Sequence, residues 1–252
     1  MTKDFYEKHK NFSYRTLSEY YLSPGIRCKF DLLKEIIDSR KNFLCGIDLG
    51  SSGNSILSFL DGIKQKSFFD IASFPLKQYV KVFAWHPLCG DLIRLPYRNE
   101  SFDFVSALDV LEHIKNDNLA ISEISRILKK NGIVIITVPH SMKYYSTQDR
   151  IIGHFRRYEI NQIISHFKKF NLRNLLTFGV YGRLMIIADI QSANPKKIEE
   201  NLINLRNKYE SNTIFQKIWN IIVRFISKLM KLDAKYSSKN RIRNIGLIFM
   251  KK

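Results

Sequence analysis

The amino-acid sequence predicts an α/β fold, a doubly wound, mostly parallel seven-stranded sheet with helices on both faces. Apolar runs of strand length alternate with stretches whose apolar residues have helical spacing, an order typical of a parallel sheet. The run IVIITV at residues 133–138 has no polar alternation, as expected for a central strand buried on both faces. The segment GIDLGSSGN at residues 46–54 predicts a glycine-containing turn into a helix at the carboxyl edge of the sheet, where such folds bind ligands.

Seven apolar runs are the predicted strands. They lie at residues 43–47, 67–69, 80–85, 102–108, 133–138, 172–180 and 245–250. Residues 27–39 have apolar side chains at helical spacing and predict a helix that covers the sheet. Residues 118–130 predict another helix, which Asn131 and Gly132 would end as a C-terminal cap.

Length and composition indicate one domain with appendages. The chain has 252 residues, of which 45% are hydrophobic, enough to bury a sizeable core. Its three cysteines, Cys28, Cys45 and Cys89, are far apart and odd in number, so neither a disulfide framework nor a zinc site is expected. The N-terminus is charged and no apolar run is long enough to span a membrane. We therefore expect a cytoplasmic protein with no bound metal.

The formal net charge is +18, which suits nucleic acid, an anionic membrane or an acidic substrate as partner. Residues 196–252 carry 14 Lys and Arg against 4 Asp and Glu, so more than half of the excess lies in the last quarter of the chain. A lysine-rich composition that reflects the genome alone would give the same excess.

The predicted organisation has four parts. Residues 1–40 are an N-terminal arm and covering helix, residues 41–190 the ligand-binding core, residues 191–240 a basic helical insertion or lid, and residues 241–252 the final strand. Within the insertion, residues 214–232 predict a basic amphipathic helix. Such a helix can lie on an anionic membrane, cover a lipophilic substrate or pack against the sheet.

The segment GIDLGSSGN favours a nucleoside cofactor other than a dinucleotide. Asp70 lies 22 residues after Asp48, a spacing suited to binding ribose hydroxyls. From Gly50 onwards the sequence departs from G-x-G-x-x-G at two of three glycines. The carboxylate of Asp48 at the mouth of the loop would repel a pyrophosphate but would attract the ammonium group of S-adenosylmethionine. The alternative is an ordinary strand-to-helix turn.

Residues 43–138 resemble a class I S-adenosylmethionine-dependent methyltransferase of the type 11 group, which includes quinone-biosynthesis C- and O-methyltransferases. Five segments carry the resemblance, in the family's order: GIDLGSSGN, DIASFPL, CGDLIRLPYRNESFDFV, DVLEHI and EISRILKKNGIVIITVP. The resemblance implies a Rossmann-like methyltransferase fold and S-adenosylmethionine as cofactor.

The resemblance also implies roles for individual residues. The methionine part would lie against Asp48 and the backbone of Gly50, Ser51, Ser52 and Gly53, the ribose against Asp70 beside Ile71, the adenine against Asp91 and Leu92, and the sulfonium near Asp109. The family's usual D-x-G-x-G-x-G is D-L-G-S-S-G-N here, with Ser52 and Asn54 where glycines are common. Because both residues are small and asparagine tolerates a positive φ, we expect the cofactor site to be retained.

The candidate acceptor site follows the fourth and fifth strands. His154 and His140 are the candidate catalytic bases, and His113, Arg156, Arg157 and Tyr158 are candidate substrate-binding residues. In the segment DRIIGHFRRY at residues 149–158, two guanidinium groups could bind a phosphate or carboxylate beside a histidine. The alternative is that His113 is structural and that the arginines pair with Asp149 and Glu159.

The sequence therefore predicts methyl transfer to a small-molecule, lipid, quinone or glycan-linked acceptor, with peripheral contact to an anionic membrane. RNA methylation is the alternative enzyme class, supported by the positive charge. It is less favoured because DVLEH at residues 109–113 stands where amino-group methylases of bases carry N-P-P-[YF]. The third hypothesis is a catalytically inactive binding protein of this fold.

Overall fold

One mixed sheet organises the chain in the computed structural model, which describes residues 16–38, 43–80, 85–185 and 195–252. Its strands are β1 Phe43–Leu49, β2 Ile63–Asp70, β3 Trp85–Cys89, β4 Phe102–Leu108, β5 Leu128–Pro139, β6 Leu172–Tyr181 and β7 Asn244–Lys251. The strand order is β3-β2-β1-β4-β5-β7-β6. Strands β1 to β5 pair in parallel, whereas β7 is antiparallel to both β5 and β6. The predicted fold class is confirmed.

Eight α-helices lie within the described residues. They are α1 Glu19–Leu22, α2 Pro24–Asp38, α3 Ser73–Leu76, α4 Asp117–Ile127, α5 Thr147–Ile152, α6 Ile160–Lys168, α7 Pro195–Ser211 and α8 Thr213–Tyr236. Helices α7 and α8 follow β6 and precede β7, and α8 packs against α2 and β6. None of the described helices is both long enough and apolar enough to cross a membrane.

Both faces of the sheet are buried in apolar clusters. Ile135 belongs to the cluster that contains Leu33 of α2, whereas its neighbour Ile136 belongs to the cluster on the other face, with Ile124 of α4. Because successive side chains of a strand point to opposite faces, a central strand covered by helices on both sides must be apolar at every position. This is the physical reason for the unbroken run IVIITV.

Several predicted boundaries are wrong. The third strand was placed at residues 80–85, but β3 is Trp85–Cys89, and residues 81–84 lie outside the described part. The helix predicted at residues 118–130 ends at Ile127, and Asn131 lies inside β5 with a φ of 60°. Asn131 and Gly132 therefore form an irregularity within a long strand and do not cap the helix. Asparagine accepts a left-handed backbone at such an irregularity as well as at a helix end, so its presence did not distinguish the two.

The segment after β1 also differs from the prediction. The loop that follows Leu49 leads into a short 3₁₀ turn, Ile56–Phe59, and the described residues between β1 and β2 contain no α-helix. An α-helix N-terminus therefore does not contribute to the ligand edge at this point. The predicted arm at residues 1–15 lies outside the described residues.

Candidate functional site

A cavity of about 1080 Å³ opens at the carboxyl edge of the parallel strands. Ligand pockets in proteins usually measure about 300–1,000 Å³, so this cavity has room for a cofactor and an acceptor together. Three groups of residues line it. The cofactor wall consists of Gly50, Ser52, Asp70, Ile71, Asp91, Leu92 and Asp109; the polar cluster of Glu112, His113, Asp149, His154 and Arg157; and the apolar wall of Leu22, Ile26, Leu202, Leu205, Ile226 and Met230.

The loop after β1 requires glycine at Gly50. Its φ is +71°, and a Cβ atom there would lie 2.4 Å from Cγ2 of Val110. The N–H groups of Gly50 and Ser51 donate to the carbonyl of Phe69 on β2, at 2.7 and 3.1 Å. Ser52 takes a positive φ of 47°, whereas Asn54 does not. Hydrogen bonds therefore hold the loop against β2, and two of its residues, Gly50 and Ser52, have a positive φ.

Of the four predicted loop residues, Gly50 and Ser52 line the cavity. Ser51 and Gly53 are buried and are not among the described lining residues. A cofactor in this cavity would therefore meet the loop at alternate residues and not along its whole backbone.

Asp70 fixes the loop and faces the cavity. Its Oδ2 accepts the N–H of Ser52 at 2.8 Å, and its Oδ1 accepts the N–H of Ala72 at 2.9 Å. Burial raises the pKa of this carboxyl. Each carboxylate oxygen can accept a further hydrogen bond, which suits a diol such as that of a ribose. Ile71, Asp91 and Leu92 line the same cavity, so the structure brings the predicted ribose and adenine residues together.

Asp48 is placed differently from its prediction. It is buried, is absent from the described cavity lining, and accepts a hydrogen bond from Ser106 Oγ on β4 at 2.5 Å. Burial raises the pKa of Asp48 to about 6. The side chain points into the sheet because a buried serine offers it a hydroxyl there. Direct contact of Asp48 with a ligand's ammonium group is therefore not supported by this arrangement.

Asp109 directly follows β4, has a φ of 55° and lines the cavity. Its carboxylate accepts bonds from Lys29 Nζ at 2.7 Å, Asn244 Nδ2 at 2.7 Å and Thr137 Oγ1 at 2.9 Å. Burial alone would raise the pKa of Asp109, but the Lys29 charge and these hydrogen bonds hold it at about 2. Asp109 is therefore a fixed negative charge at the cavity wall.

Lys29 and Asn244 were missed by sequence reasoning. Lys29 comes from α2 and Asn244 from β7, which are far from β4 in the chain. The sequence pattern could have indicated Lys29, because it is a charged residue flanked by the apolar positions of a predicted amphipathic helix. Asn244 carried no comparable signal.

In the polar cluster, Asp149 holds a histidine and an arginine. His154 Nδ1 lies 2.7 Å from Asp149 Oδ1, and Arg157 NH2 donates to Asp149 Oδ2 at 2.9 Å. Burial would raise the pKa of Asp149, but these bonds and that from the N–H of Ser146 hold it well below its usual range. Arg157 was predicted to bind substrate, and its pairing with Asp149 was the alternative; this geometry agrees with the alternative.

His113 stands edge-on against His154, with ring centroids 4.6 Å apart and an interplanar angle of 78°. Burial, with His154 as a second cause, lowers the pKa of His113 to about 3, so the ring is neutral at physiological pH. Glu112 beside it is fully buried, and burial together with the Asp109 charge raises the pKa of Glu112 well above its usual range.

Three other predicted site residues have structural roles and are not among the described lining residues. His140 Nδ1 bonds the carbonyl of Tyr158 at 2.8 Å. Arg156 pairs with Asp117 at 2.8 Å, and not with Glu159 as the alternative had it. Tyr158 is fully buried and donates to Asp117 Oδ2 at 2.8 Å. Each of these side chains is therefore held by a hydrogen bond or an ion pair within the fold and not at the described cavity wall.

The fold is that of the class I S-adenosylmethionine-dependent methyltransferases. A solved structure of Haemonchus contortus phosphoethanolamine N-methyltransferase 2 in complex with S-adenosyl-L-methionine superposes with a TM-score of 0.61 at 20% identity, over 99% of this chain and 59% of that chain. Residues 48–136 match the family model described as a methyltransferase domain. This part of the chain belongs to that family, and the resemblance read from the motifs is confirmed.

Two proteins with related sequences each align with about half of this chain. An uncharacterised protein of Methanocaldococcus jannaschii is 31% identical over 142 residues, which are 54% of this chain and 60% of that protein. The tRNA (carboxymethyluridine(34)-5-O)-methyltransferase of Arabidopsis thaliana is 27% identical over 143 residues, which are 54% of this chain and 34% of that enzyme. The chain thus matches less than two thirds of the length of either relative.

S-adenosylmethionine is the cofactor of this family, and the cavity fits it. Gly50 and Ser52 bring the loop after β1 to the cavity wall. Asp70 and Asp91 offer carboxylates, and Ile71 and Leu92 offer apolar surface. The carboxylate of Asp109 lies at the same wall and is paired with Lys29.

Proposed function

We propose that this chain transfers a methyl group from S-adenosylmethionine to a lipophilic small-molecule or lipid-linked acceptor. One observation carries the proposal: the cofactor wall and the apolar wall enclose the same cavity. The apolar wall is built by α1, α2, α7 and α8, which lie outside the residues matched by the family model. The proposed acceptor chamber is therefore formed in part by segments beyond the residues that the family model matches.

When bound, the cofactor supplies a methyl group that is already activated on a sulfonium. The chain then has to align the acceptor and exclude water, because the transfer is an in-line displacement. The acceptor's lone pair forms the new bond to the methyl carbon as the S–C bond breaks, and the sulfonium becomes a neutral thioether. We assign the alignment of the cofactor to Gly50, Ser52, Asp70, Asp91 and Asp109, and that of the acceptor to the apolar wall.

We also propose that α8 brings the chamber to an anionic membrane surface. Its apolar residues Ile214, Ile218, Ile221 and Phe225 are 71, 54, 68 and 63% exposed. At helical spacing they form a strip beside a row of exposed basic residues, which are Lys217, Arg224, Lys228 and Lys235. An apolar strip flanked by cations is the pattern of a helix that lies in a membrane interface.

RNA methylation is a second candidate function. The tRNA-methylating relative and the net charge of +18 favour it. The apolar wall argues against RNA as the acceptor, because a nucleic acid is recognised mainly through its charged backbone and through base stacking or base-edge contacts.

The test is transfer of labelled methyl groups from S-adenosylmethionine into separated pools of lipid, glycan and RNA. We expect label in the organic-soluble pool with the wild-type chain and none above background with Asp70→Ala. Label mainly in RNA would overturn the leading proposal in favour of the second. Binding of the cofactor without label in any pool would favour a binding protein.

A further inference from the structure

We infer that Glu112, His113 and His154 form a binding site for a divalent transition-metal ion in the wall of the cavity. One carboxylate oxygen of Glu112 and one ring nitrogen of each histidine lie within 4.8 Å of one another. A single ion at the centre of such a group can reach all three atoms with small side-chain adjustments, since metal–nitrogen and metal–oxygen bonds are about 2.0–2.2 Å long.

The backbone holds the three residues together. Glu112 and His113 belong to the 3₁₀ turn Leu111–His113 after β4, and His154 follows α5. The N–H of Phe155 donates to the carbonyl of Glu112 at 2.8 Å, which joins the two segments next to the ligand atoms. The hydroxyl of Tyr145 donates to the carbonyl of His154 at 2.7 Å and fixes that segment from the other side.

The buried carboxyl of Glu112 is the observation that points to a ligand. The side chain is fully buried, and neither oxygen has a hydrogen-bond partner in another residue that the structure describes. The Nε2 atom of His154 lies 3.8 Å from Oε1 of Glu112. A buried acidic group without partners costs stability, and a bound cation would compensate its charge.

Asp149 orients His154 in the way that carboxylates orient metal-binding histidines. Asp149 bonds His154 Nδ1, so the other ring nitrogen, Nε2, is directed towards Glu112. Asp149 is itself fixed by Arg157 and by the N–H of Ser146 at 2.8 Å. Carboxylates that orient metal-binding histidines in this way are a regular feature of metal sites.

The ligand set indicates the class of metal. Two imidazoles and one carboxylate suit zinc, iron(II) and neighbouring ions better than magnesium or calcium, which prefer oxygen ligands. Three protein ligands leave at least one coordination position for a group from the cavity. On the basis of the proposed function, that group is an oxygen of the acceptor, whose pKa the cation lowers as the proton leaves to solvent.

Titration of the tag-free chain with Co²⁺, followed by its visible absorption, tests the site directly. We expect one Co²⁺ per chain, displaced by Zn²⁺ and not by Mg²⁺. Glu112→Gln and His154→Asn are expected to weaken binding by about 100-fold or more, and Asp149→Asn by about 10–100-fold. The matched control is His86→Asn, because His86 is an exposed histidine on β3.

Wild-type binding in His86→Asn together with the losses above supports the site. Absence of stoichiometric binding, or equal binding by wild type, Glu112→Gln and His154→Asn, overturns it. Denaturant unfolding of the metal-free variants checks that they fold, and Glu112→Gln is suited to this because it removes an uncompensated buried acid. Methyl transfer that persists in chelator while no metal binds would overturn the site and leave the proposed function standing; metal binding without transfer would do the reverse.

Discussion

At the scale of single residues, Asp48 is a buried acid whose pKa in the folded chain differs from its usual value. Its pKa is raised by burial from 3.8 to about 6. Between these pH values the folded chain keeps a proton that the unfolded chain has released. The free energy of unfolding contributed by this group therefore falls as the pH rises from about 4 to about 6, and stays lower above that range.

Replacing the acid by its amide should remove this penalty. We expect Asp48→Asn to raise the free energy of unfolding of the cofactor-free chain at pH 7.5, by at most about 3 kcal/mol, and to change it little at pH 4. Denaturant unfolding at both pH values measures this. Asp61→Asn is the control, because Asp61 is exposed. A variant that is less stable at pH 7.5 would show that Asp48 is ionised and paired in the fold, and an equal shift at both pH values would show that folding does not raise the pKa of Asp48.

At the scale of elements, the sequence predicted α8 as an amphipathic helix, but not the way it faces. The buried positions are Val223, Ser227, Met230 and Ala234, a narrow stripe of mostly small residues. The larger apolar residues lie beside this stripe and are exposed. Periodicity shows which residues share a face of a helix; it does not show which face meets the sheet when both are apolar.

The exposed strip of α8 gives a prediction for membrane binding. We expect Phe225→Glu to weaken binding to anionic phosphatidylserine vesicles by at least tenfold, because it places a negative charge where the helix would meet acyl chains. Co-sedimentation with the vesicles measures this. Leu119→Glu on α4 is the matched control, since it makes the same kind of change at another exposed apolar residue. Equal binding by both variants and the wild type would exclude this strip as the contact surface.

At the scale of the whole molecule, the mostly parallel sheet was predictable because apolar runs and helical patterns alternate along the chain, but this alternation does not give the order of the strands in the sheet. In the cofactor wall, Gly50 and Asp70 were predicted from the turn after the first strand and from spacing, whereas Asp91 and Asp109 came from the resemblance to the methyltransferase family. The structure places all four residues at the carboxyl ends of parallel strands, which meet at one edge.

The orientation of the other predicted site residues depends on contacts between segments that are far apart in the sequence. Arg156 and Tyr158 looked like substrate ligands in sequence, but both bind Asp117, which lies about forty residues earlier. Likewise, Asp48 turned towards Ser106 on the neighbouring strand. A sequence pattern places a residue near an edge, but its hydrogen-bond partner decides whether its side chain faces the ligand.

The measurement that tests the central claim most directly is calorimetric titration of S-adenosylmethionine into the wild type, Asp70→Ala, Ile226→Trp and Ile214→Trp. Asp70 belongs to the cofactor wall and Ile226 to the apolar wall, while Ile214 is an exposed residue of the same helix as Ile226. We expect one site per wild-type chain, a loss of at least about tenfold in Asp70→Ala from its missing charge-assisted hydrogen bonds, and unchanged affinity in both tryptophan variants. No binding by the wild type, or equal affinity in Asp70→Ala, would contradict the account.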